Sequence, residues 1–158
     1  MSAAPFLAPA AALRDVVRGV LRFPREDLGR AIGDGPSRYV VFRHMTRTAA
    51  GHGGQGAPCV FEVTGEFKTV GRRKNRRLSA IPVPFIAVQP GFLSKRWAMG
   101  RETGGIMGRY EWTTRDDALD YYDSFPMKMM RSRVRPETFR CRIDGEAYFG
   151  RTGGPSGR

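Results

Sequence analysis

The residues best suited to chemistry lie on one face of a predicted β-hairpin. Successive side chains of a strand point to opposite faces, so two antiparallel strands joined by a short turn share a face at alternate positions. That face carries a cation, a phenol and two indoles: Lys95, Trp97, Tyr110 and Trp112. A lysine in an apolar pocket favours a phenolate, enolate or carboxylate on a bound ligand. We therefore predict Lys95 and Tyr110 as catalytic residues and the two tryptophans as substrate-binding residues.

Further candidates come from neighbouring elements. Tyr122 shares helical spacing with Phe125, so we predict that it faces inward as a catalytic phenol and that Tyr121 faces outward. His44 stands in a predicted strand and can act as a general base, because the pKa of histidine lies near neutrality. The predicted substrate-binding set is completed by Phe61, Phe125 and Arg109.

Each interpretation has a structural alternative. The aromatic face can equally form a packed core instead of a pocket for a flat ligand. Lys95 can extend its ammonium group to the edge of the sheet, and His44 can be a structural histidine.

Composition narrows the possible partners. The net charge is +12, and of 27 basic residues only four are lysines. Excess positive charge attracts phosphate, so the basic runs at residues 72–77 and 131–140 make a nucleic-acid-binding module an alternative function. These runs lack the regular aromatic interleaving of single-strand binders, and nucleic acid is therefore the less favoured partner.

Metal, cofactor and membrane signals are weak. Cys59 and Cys141 match no metal-binding spacing, and a four-ligand zinc site would also need His44 and His52, which are the two histidines of the chain. We interpret the cysteines as buried apolar residues and predict neither a metal nor a cofactor. The sequence contains no phosphate-binding loop, no dinucleotide fingerprint, no secretion signal and no apolar run of membrane-spanning length, so we expect a cytoplasmic location without a membrane partner.

The chain divides into an N-terminal extension over residues 1–58, a domain over 59–149 and a disordered tail over 150–158. The predicted elements of the extension are an amphipathic helix over residues 11–22, a strand over 39–45 and a glycine-rich loop over 51–58. From Cys59 onward the predicted order is strand, helix, strand, strand, helix, strand, which is the ferredoxin-like βαββαβ arrangement of an α+β domain. Its helices cover one face of the sheet and leave Ala98 and Met107 among charges on a bare face, so we expect a second copy to cover that face.

One part of the sequence resembles a known family. The motifs that carry the resemblance are QPGFLSKRW at 89–97, GGI at 104–106, YEW at 110–112 and DDALDYY at 116–122. Over residues 59–145 the chain resembles the YdhR-type monooxygenases of the dimeric α+β barrel superfamily, which are related to the antibiotic-biosynthesis monooxygenases. The resemblance implies a homodimer that binds ligands between helices and sheet. Superfamily members include cofactor-free oxygenases, haem-degrading enzymes, isomerases and cyclases.

The resemblance also shows where this sequence departs from the family. Cofactor-free oxygenases of this kind combine a pocket asparagine with a tryptophan, and haem-degrading relatives combine an asparagine with an axial histidine. The one asparagine of this chain, Asn75, lies inside the first basic run, where we do not expect a pocket. A haem-binding protein with His44 as axial ligand is a further alternative.

The leading hypothesis is therefore a homodimeric enzyme of secondary metabolism, as in antibiotic biosynthesis. It acts without metal or cofactor on an aromatic or polyketide-like, anionic substrate. Oxygenation and cyclisation or isomerisation are both open, because each needs a shaped apolar pocket and a group that stabilises an enolate or phenolate.

Overall fold

The computed structural model describes residues 8–33, 38–48, 56–68 and 71–150. Within these ranges the helices are α1 (Ala8–Val17), α2 (Arg72–Leu78), α3 (Val83–Ala87), α4 (Arg115–Tyr122) and α5 (Phe125–Arg133), with a short 3-10 turn at Pro136–Thr138. His52, most of the predicted glycine-rich loop and residues 151–158 of the predicted tail lie outside the described residues.

The strands form a single antiparallel sheet. They are β1 (Leu21–Arg22), β2 (Ala31–Ile32), β3 (Tyr39–Arg47), β4 (Cys59–Gly65), β5 (Phe92–Gly100), β6 (Ile106–Trp112), β7 (Arg140–Ile143) and β8 (Glu146–Ala147). The order across the sheet is β1-β3-β5-β6-β4-β7-β8, and β2 also pairs with β3. The α+β class is confirmed, and the central order β5-β6-β4-β7 is consistent with the ferredoxin-like arrangement.

The N-terminal helix is shorter than predicted. It ends at Val17 instead of residue 22, because Gly19 adopts a left-handed backbone conformation with φ of 70°. The amide of Gly19 donates to the carbonyl of Val16 at 3.0 Å and the amide of Val20 donates to the carbonyl of Asp15 at 2.9 Å, which together satisfy the last turn. The chain then turns into β1, so the predicted helical residues 21–22 belong to the sheet.

The predicted strand of the N-terminal extension joins the same sheet. It forms β3, which pairs with β5 in a register that joins Val41 to Ala98 and Arg43 to Trp97. Phe42 is the extra residue of a β-bulge between these two pairs. The extension therefore supplies the strand that covers the edge of β5.

The predicted hairpin forms, and its register is uniform from the turn to Ser94, beyond which a bulge at Leu93 pairs Phe92 with Trp112. The amide of Gly100 donates to the carbonyl of Gly105 at 2.8 Å, and further along Trp97 lies opposite Gly108 and Lys95 opposite Tyr110. Local turn geometry and strand alternation are sufficient to set this pairing.

The helices pack on one face of the sheet. Thr114 caps α4 by accepting a hydrogen bond from the amide of Asp117 at 3.1 Å, as its spacing predicts. Pro126 lies in the first turn of α5 and begins a new helix, where its missing amide costs nothing. The main core lies between these helices and the sheet.

The opposite face of the sheet, which we call the outer face, is not bare as predicted. Ala98 and Met107 are buried with Val41 in a small apolar cluster, against which Ile32 and Tyr39 pack. The N-terminal segment folds across this face. The prediction that Ala98 and Met107 lie on a bare face, available for a second copy to cover, is therefore wrong. The homodimer itself stays a prediction.

Candidate functional site

A cavity of about 430 Å³ lies between the sheet and the helices α2 and α5. Its apolar wall includes Phe42, Trp97, Tyr110, Tyr121, Met129 and Met130. Besides the phenols, the polar side chains on this wall are Lys68, Asn75, Ser79, Lys95, Ser132 and Arg133, of which Asn75 and Lys95 are buried. A mainly apolar cavity with a few convergent polar groups is the usual form of a small-molecule site.

Lys95 is the central polar group of the cavity. Only 4% of its surface is exposed, and its Nζ lies 4.3 Å from the ring centroid of Trp97 and 4.3 Å from that of Tyr110. Among the described residues no carboxylate forms an ion pair with Lys95. Its amine therefore lies between two ring faces at the cavity wall, where an ammonium would be stabilised by cation–π attraction alone. Lys95 does not extend to the sheet edge.

The surroundings of Lys95 disfavour its charged form. Burial removes water from the amine, and the guanidinium of Arg43 repels a second positive charge, so the pKa of Lys95 lies well below its ordinary value. An anion brought into the cavity would reverse this balance, because it would pair with the ammonium form. The site is thus prepared for a negatively charged ligand or a group that becomes negative.

Arg43 places a second cation beside the cavity. The bulge at Phe42 directs Arg43 toward the helices, where its guanidinium lies 5.7 Å from the Trp97 ring centroid and donates to Ser79 Oγ at 2.8 Å. Burial and the neighbouring Arg76 lower the pKa of Arg43, which still carries its charge because arginine does not deprotonate in proteins. Two basic side chains without a neighbouring acid leave this end of the cavity electropositive.

Two phenols, Tyr110 and Tyr121, also line the cavity. Tyr121 donates to the hydroxyl oxygen of Tyr110 at 3.1 Å, and both side chains are almost fully buried. Burial raises the pKa of Tyr110, and burial together with the adjoining Tyr110 raises the pKa of Tyr121. Both phenols therefore stay protonated and can act as hydrogen-bond donors.

Tyr121, which we predicted to face outward, is buried and lines the cavity, so that prediction is wrong. Tyr122 faces inward as predicted but does not line the cavity. Tyr121 and Tyr122 are both buried. They stand three and four positions after the buried Ala118, so all three side chains lie on the same side of α4. Tyr122 instead contacts Phe61 and Tyr148, with ring centroids 6.4 and 4.9 Å away.

Trp112 and Phe61, which we predicted as substrate-binding residues, are packed in the core. Trp112 is 0% exposed and lies 4.8 Å from Tyr121 and 5.6 Å from Phe92 between ring centroids. Phe61 is also 0% exposed and contacts Tyr110 edge to face. Neither Trp112 nor Phe61 lines the cavity. Both belong to the main core, where side chains of α4 pack against this part of the sheet.

Phe125, Arg109 and His44 lie away from the cavity. Phe125 is 62% exposed and contacts only the edge of Phe85 among the aromatic rings of the described residues. Arg109 is next to Tyr110 in β6, so its side chain points to the outer face. There it forms an ion pair with Glu62 at 2.7 Å.

His44 is buried on the outer face. Its Nδ1 lies 3.3 Å from Asp27 Oδ2, which also pairs with Arg96 at 2.7 Å. Burial and Arg96 lower the pKa of His44 despite the nearby carboxylate, and the imidazole lies within a network of charged side chains. The sheet separates His44 from the cavity. This position fits the alternative in which His44 is a structural histidine.

Asn75 is the residue that sequence reasoning missed. It is 6% exposed and lines the cavity, whereas the arginines and lysine around it on α2 are exposed. The signal was present in the spacing, because Asn75 and Leu78 stand three positions apart in an otherwise basic run and so share one helix face.

Some arginines of the basic runs are held by contacts within the protein, and both cysteines are buried. Arg72 donates hydrogen bonds to the backbone carbonyls of Gly100 and Arg101, and Arg131 stacks on Tyr122 at 4.3 Å. Burial raises the pKa of the Cys59 thiol to about 11 and that of Cys141 to about 12. No cluster of potential metal ligands occurs among the described residues, and none of their helices is long and apolar enough to cross a membrane.

No protein-family model and no curated protein matches this chain. A solved structure to which this chain shows similarity is that of an anthrone oxidase-like protein, at 19% sequence identity and a TM-score of 0.43. The match covers 73% of this chain and 60% of that protein, so this chain spans less than two thirds of its length.

Proposed function

We propose that this chain is a small-molecule enzyme that binds a flat, aromatic or polyketide-like compound in the cavity and stabilises its enolate or phenolate. The observation that carries the proposal is Lys95, an amine without an acidic partner at the wall of an aromatic cavity. A protein gains no stability from such a group, since burying an unpaired basic side chain is costly. A ligand that supplies the missing negative charge would account for the presence of Lys95 in the cavity wall.

The first chemical step is a proton transfer. The neutral amine of Lys95 accepts the acidic proton of the substrate, and the resulting ammonium pairs with the anionic oxygen. Arg43 adds positive potential, and the amide of Asn75 supplies a hydrogen bond to the same oxygen. A catalytic base works best when its pKa lies near the operating pH, and the lowered pKa of Lys95 moves it in that direction.

Oxygenation and cyclisation diverge only after this step. In oxygenation the carbanion reduces dioxygen, the substrate methylene becomes a carbonyl and the second oxygen atom leaves as water. In cyclisation the same carbanion attacks a second carbonyl of the substrate. Asn75 and Trp97 both line the cavity, and an asparagine with a tryptophan is the combination that the resemblance associates with cofactor-free oxygenases, which favours oxygenation.

The test uses dithranol, an anthrone whose methylene is acidic and whose enolate is aromatic. We expect the purified protein to accelerate oxygen uptake by dithranol, and we expect Lys95→Met to lose most of this acceleration. Lys128→Met is the matched control, because Lys128 is exposed and outside the cavity. Asn75→Leu should retain binding of dithranol but slow its turnover by about ten- to a thousandfold, the usual cost of one oxyanion donor.

Two results would contradict the proposal. The first is oxygen uptake that equals the rate without protein. The second is equal activity of the wild type and Lys95→Met, which would remove Lys95 from the chemistry.

A further inference from the structure

Lys95 differs in its surroundings from every other lysine of the chain. Lys68, Lys74 and Lys128 are exposed, whereas Lys95 is buried at the cavity wall. An exposed lysine amine is almost fully protonated at neutral pH and is a poor nucleophile. A lysine desolvated in an apolar pocket beside another cation is the arrangement that activates an amine for attack on a carbonyl.

We propose that Lys95 Nζ is a covalent carbonyl-binding site, which condenses with one carbonyl of a small dicarbonyl compound in which a single carbon separates the two carbonyls. The inference rests on the proposed function, since it uses the same cavity and the same amine. It goes further by naming the substrate class as β-dicarbonyl compounds and by assigning Lys95 a bond to carbon.

The step balances without another reactant. The lone pair of the amine attacks a carbonyl carbon and forms a carbinolamine, whose hydroxyl group leaves as water with one proton. Loss of a proton from the carbon between the two carbonyls then gives an enaminone, in which the nitrogen is conjugated with the remaining carbonyl. Amine and dicarbonyl therefore yield enaminone and one water.

The groups that face Lys95 favour this product over an ion pair. Arg43 on β3 is the charged group near Lys95, and the Tyr110 ring on β6 lies 4.3 Å from its Nζ. Asn75 on α2 and Tyr121 on α4 line the same cavity, and Arg76 lies near Arg43. None of them is a carboxylate that would hold a proton on the amine. The lowered pKa of Lys95 agrees with this geometry, since each unit of lowering raises the neutral fraction about tenfold.

The cavity also suits the shape and polarity of the enaminone. Its flat conjugated system fits beside the rings of Trp97 and Tyr110, which lie on two sides of Nζ. Its remaining carbonyl oxygen carries partial negative charge, for which Asn75 and Arg43 provide a hydrogen-bond donor and positive potential. Lys74 and Lys128 lie outside the cavity and have none of these supports, whereas the exposed Lys68 borders the cavity and donates to the carbonyl of Ser132 at 3.1 Å.

The test uses acetylacetone with the full-length protein at neutral pH. We expect the near-ultraviolet absorbance of an enaminone and an intact mass increased by one acetylacetone less one water. Peptide mapping should place the adduct on Lys95, with labelling at least about tenfold above that of Lys74 and Lys128. Saturating naphthoate, an aromatic anion that cannot form an enaminone, should prevent the reaction by filling the cavity.

Two variants sharpen the test. Lys95→Arg keeps the positive charge but cannot condense, so it should lose the adduct, whereas Lys128→Arg should retain it. If Lys95→Arg does not fold, as judged by circular dichroism, the peptide map of the wild type still assigns the adduct.

The outcomes separate this inference from the proposed function. An adduct spread evenly over the exposed lysines overturns the inference. Absence of any adduct, while naphthoate still quenches tryptophan fluorescence, also overturns it and leaves an anion-binding cavity. Absence of both the adduct and naphthoate binding removes the proposed function as well.

Discussion

At the scale of single residues, the site depends on one amine whose surroundings disfavour its charge. Lys95 has two aromatic faces and a guanidinium near it, and no acid among the residues that the structure describes pairs with it. Trp97 and Tyr110 are consequently more than packing, because they separate the amine from water on two sides. In the proposed function the same rings would bind the apolar body of a ligand whose charged end meets Lys95.

The lowered pKa of Lys95 predicts a pH-dependent stability. Between the folded pKa and the ordinary value of 10.5 the unfolded chain binds the additional proton, so this group makes the free energy of unfolding rise with pH across that window. Below the folded pKa the full cost of the buried charge is present. Lys95→Met should remove the cost, by about 1.4 kcal/mol for each unit of lowering.

Urea unfolding of the wild type and Lys95→Met from neutrality to pH 10 measures the effect. The variant should be the more stable protein near neutrality, and its advantage should shrink as the pH approaches 10.5. A difference that does not change with pH would show that the pKa of Lys95 is not lowered.

Trp97 and Trp112 should respond differently to truncation. Trp112 is fully enclosed, so Trp112→Ala should cost about 3–5 kcal/mol of stability while ligand affinity changes only through loss of fold. Trp97 forms a cavity wall, so Trp97→Ala should cost less stability and weaken naphthoate binding strongly. Denaturant unfolding and fluorescence titration of both variants check this, and the reverse order of effects would move the site toward Trp112.

At the scale of elements, the hairpin of β5 and β6 carries the site and the elements beside it shape the space. The bulge in β3 directs Phe42 and Arg43 toward the helices, and α2 brings Asn75 over the end of the sheet. Gly108 lies opposite Trp97 on the neighbouring strand and leaves room at this point.

Gly108→Ala should narrow the cavity. A Cβ at this position would lie 2.9 Å from Tyr110 Cε2 and 3.3 Å from its hydroxyl oxygen, so the ring must move. We expect weaker naphthoate binding and a loss of about 1–3 kcal/mol of stability from overpacking. Gly56→Ala is the matched control, since a Cβ at Gly56 meets nothing within 4 Å. Unchanged affinity in Gly108→Ala would show that Tyr110 does not position the ligand.

At the scale of the whole molecule, the two faces of the sheet have different roles. One face holds the core and the cavity, and the outer face holds ion pairs such as that of Arg109 with Glu62 around a small apolar cluster. The N-terminal segment covers part of the outer face, so a second copy would meet this segment as well as the sheet.

We still expect a homodimer, as the family resemblance implies. Each subunit carries a net charge of +12, so repulsion between like charges opposes association and added salt should weaken that repulsion. Sedimentation equilibrium at micromolar concentration should give a dimer fraction that rises with ionic strength. A monomer at every salt concentration would contradict the prediction.

The sequence alone determined the features that depend on local geometry. Alternation along β5 and β6 and a short turn place Lys95, Trp97 and Tyr110 on one face, and the order of elements predicts the α+β sheet. These relations hold within a few residues of the chain, or within one hairpin, and no distant contact is needed to establish them.

Only the tertiary structure decided which members of that face border open space. Trp112 is buried because α4 covers it. Both tyrosines of α4 are buried, so spacing along the helix does not decide which of them lines the cavity, and the packing of α4 on the sheet selects Tyr121. Asn75 enters the site because α2 packs over the sheet, and His44 leaves it because its strand position points to the outer face. Such contacts join residues far apart in the chain, so they depend on how the helices and strands pack together.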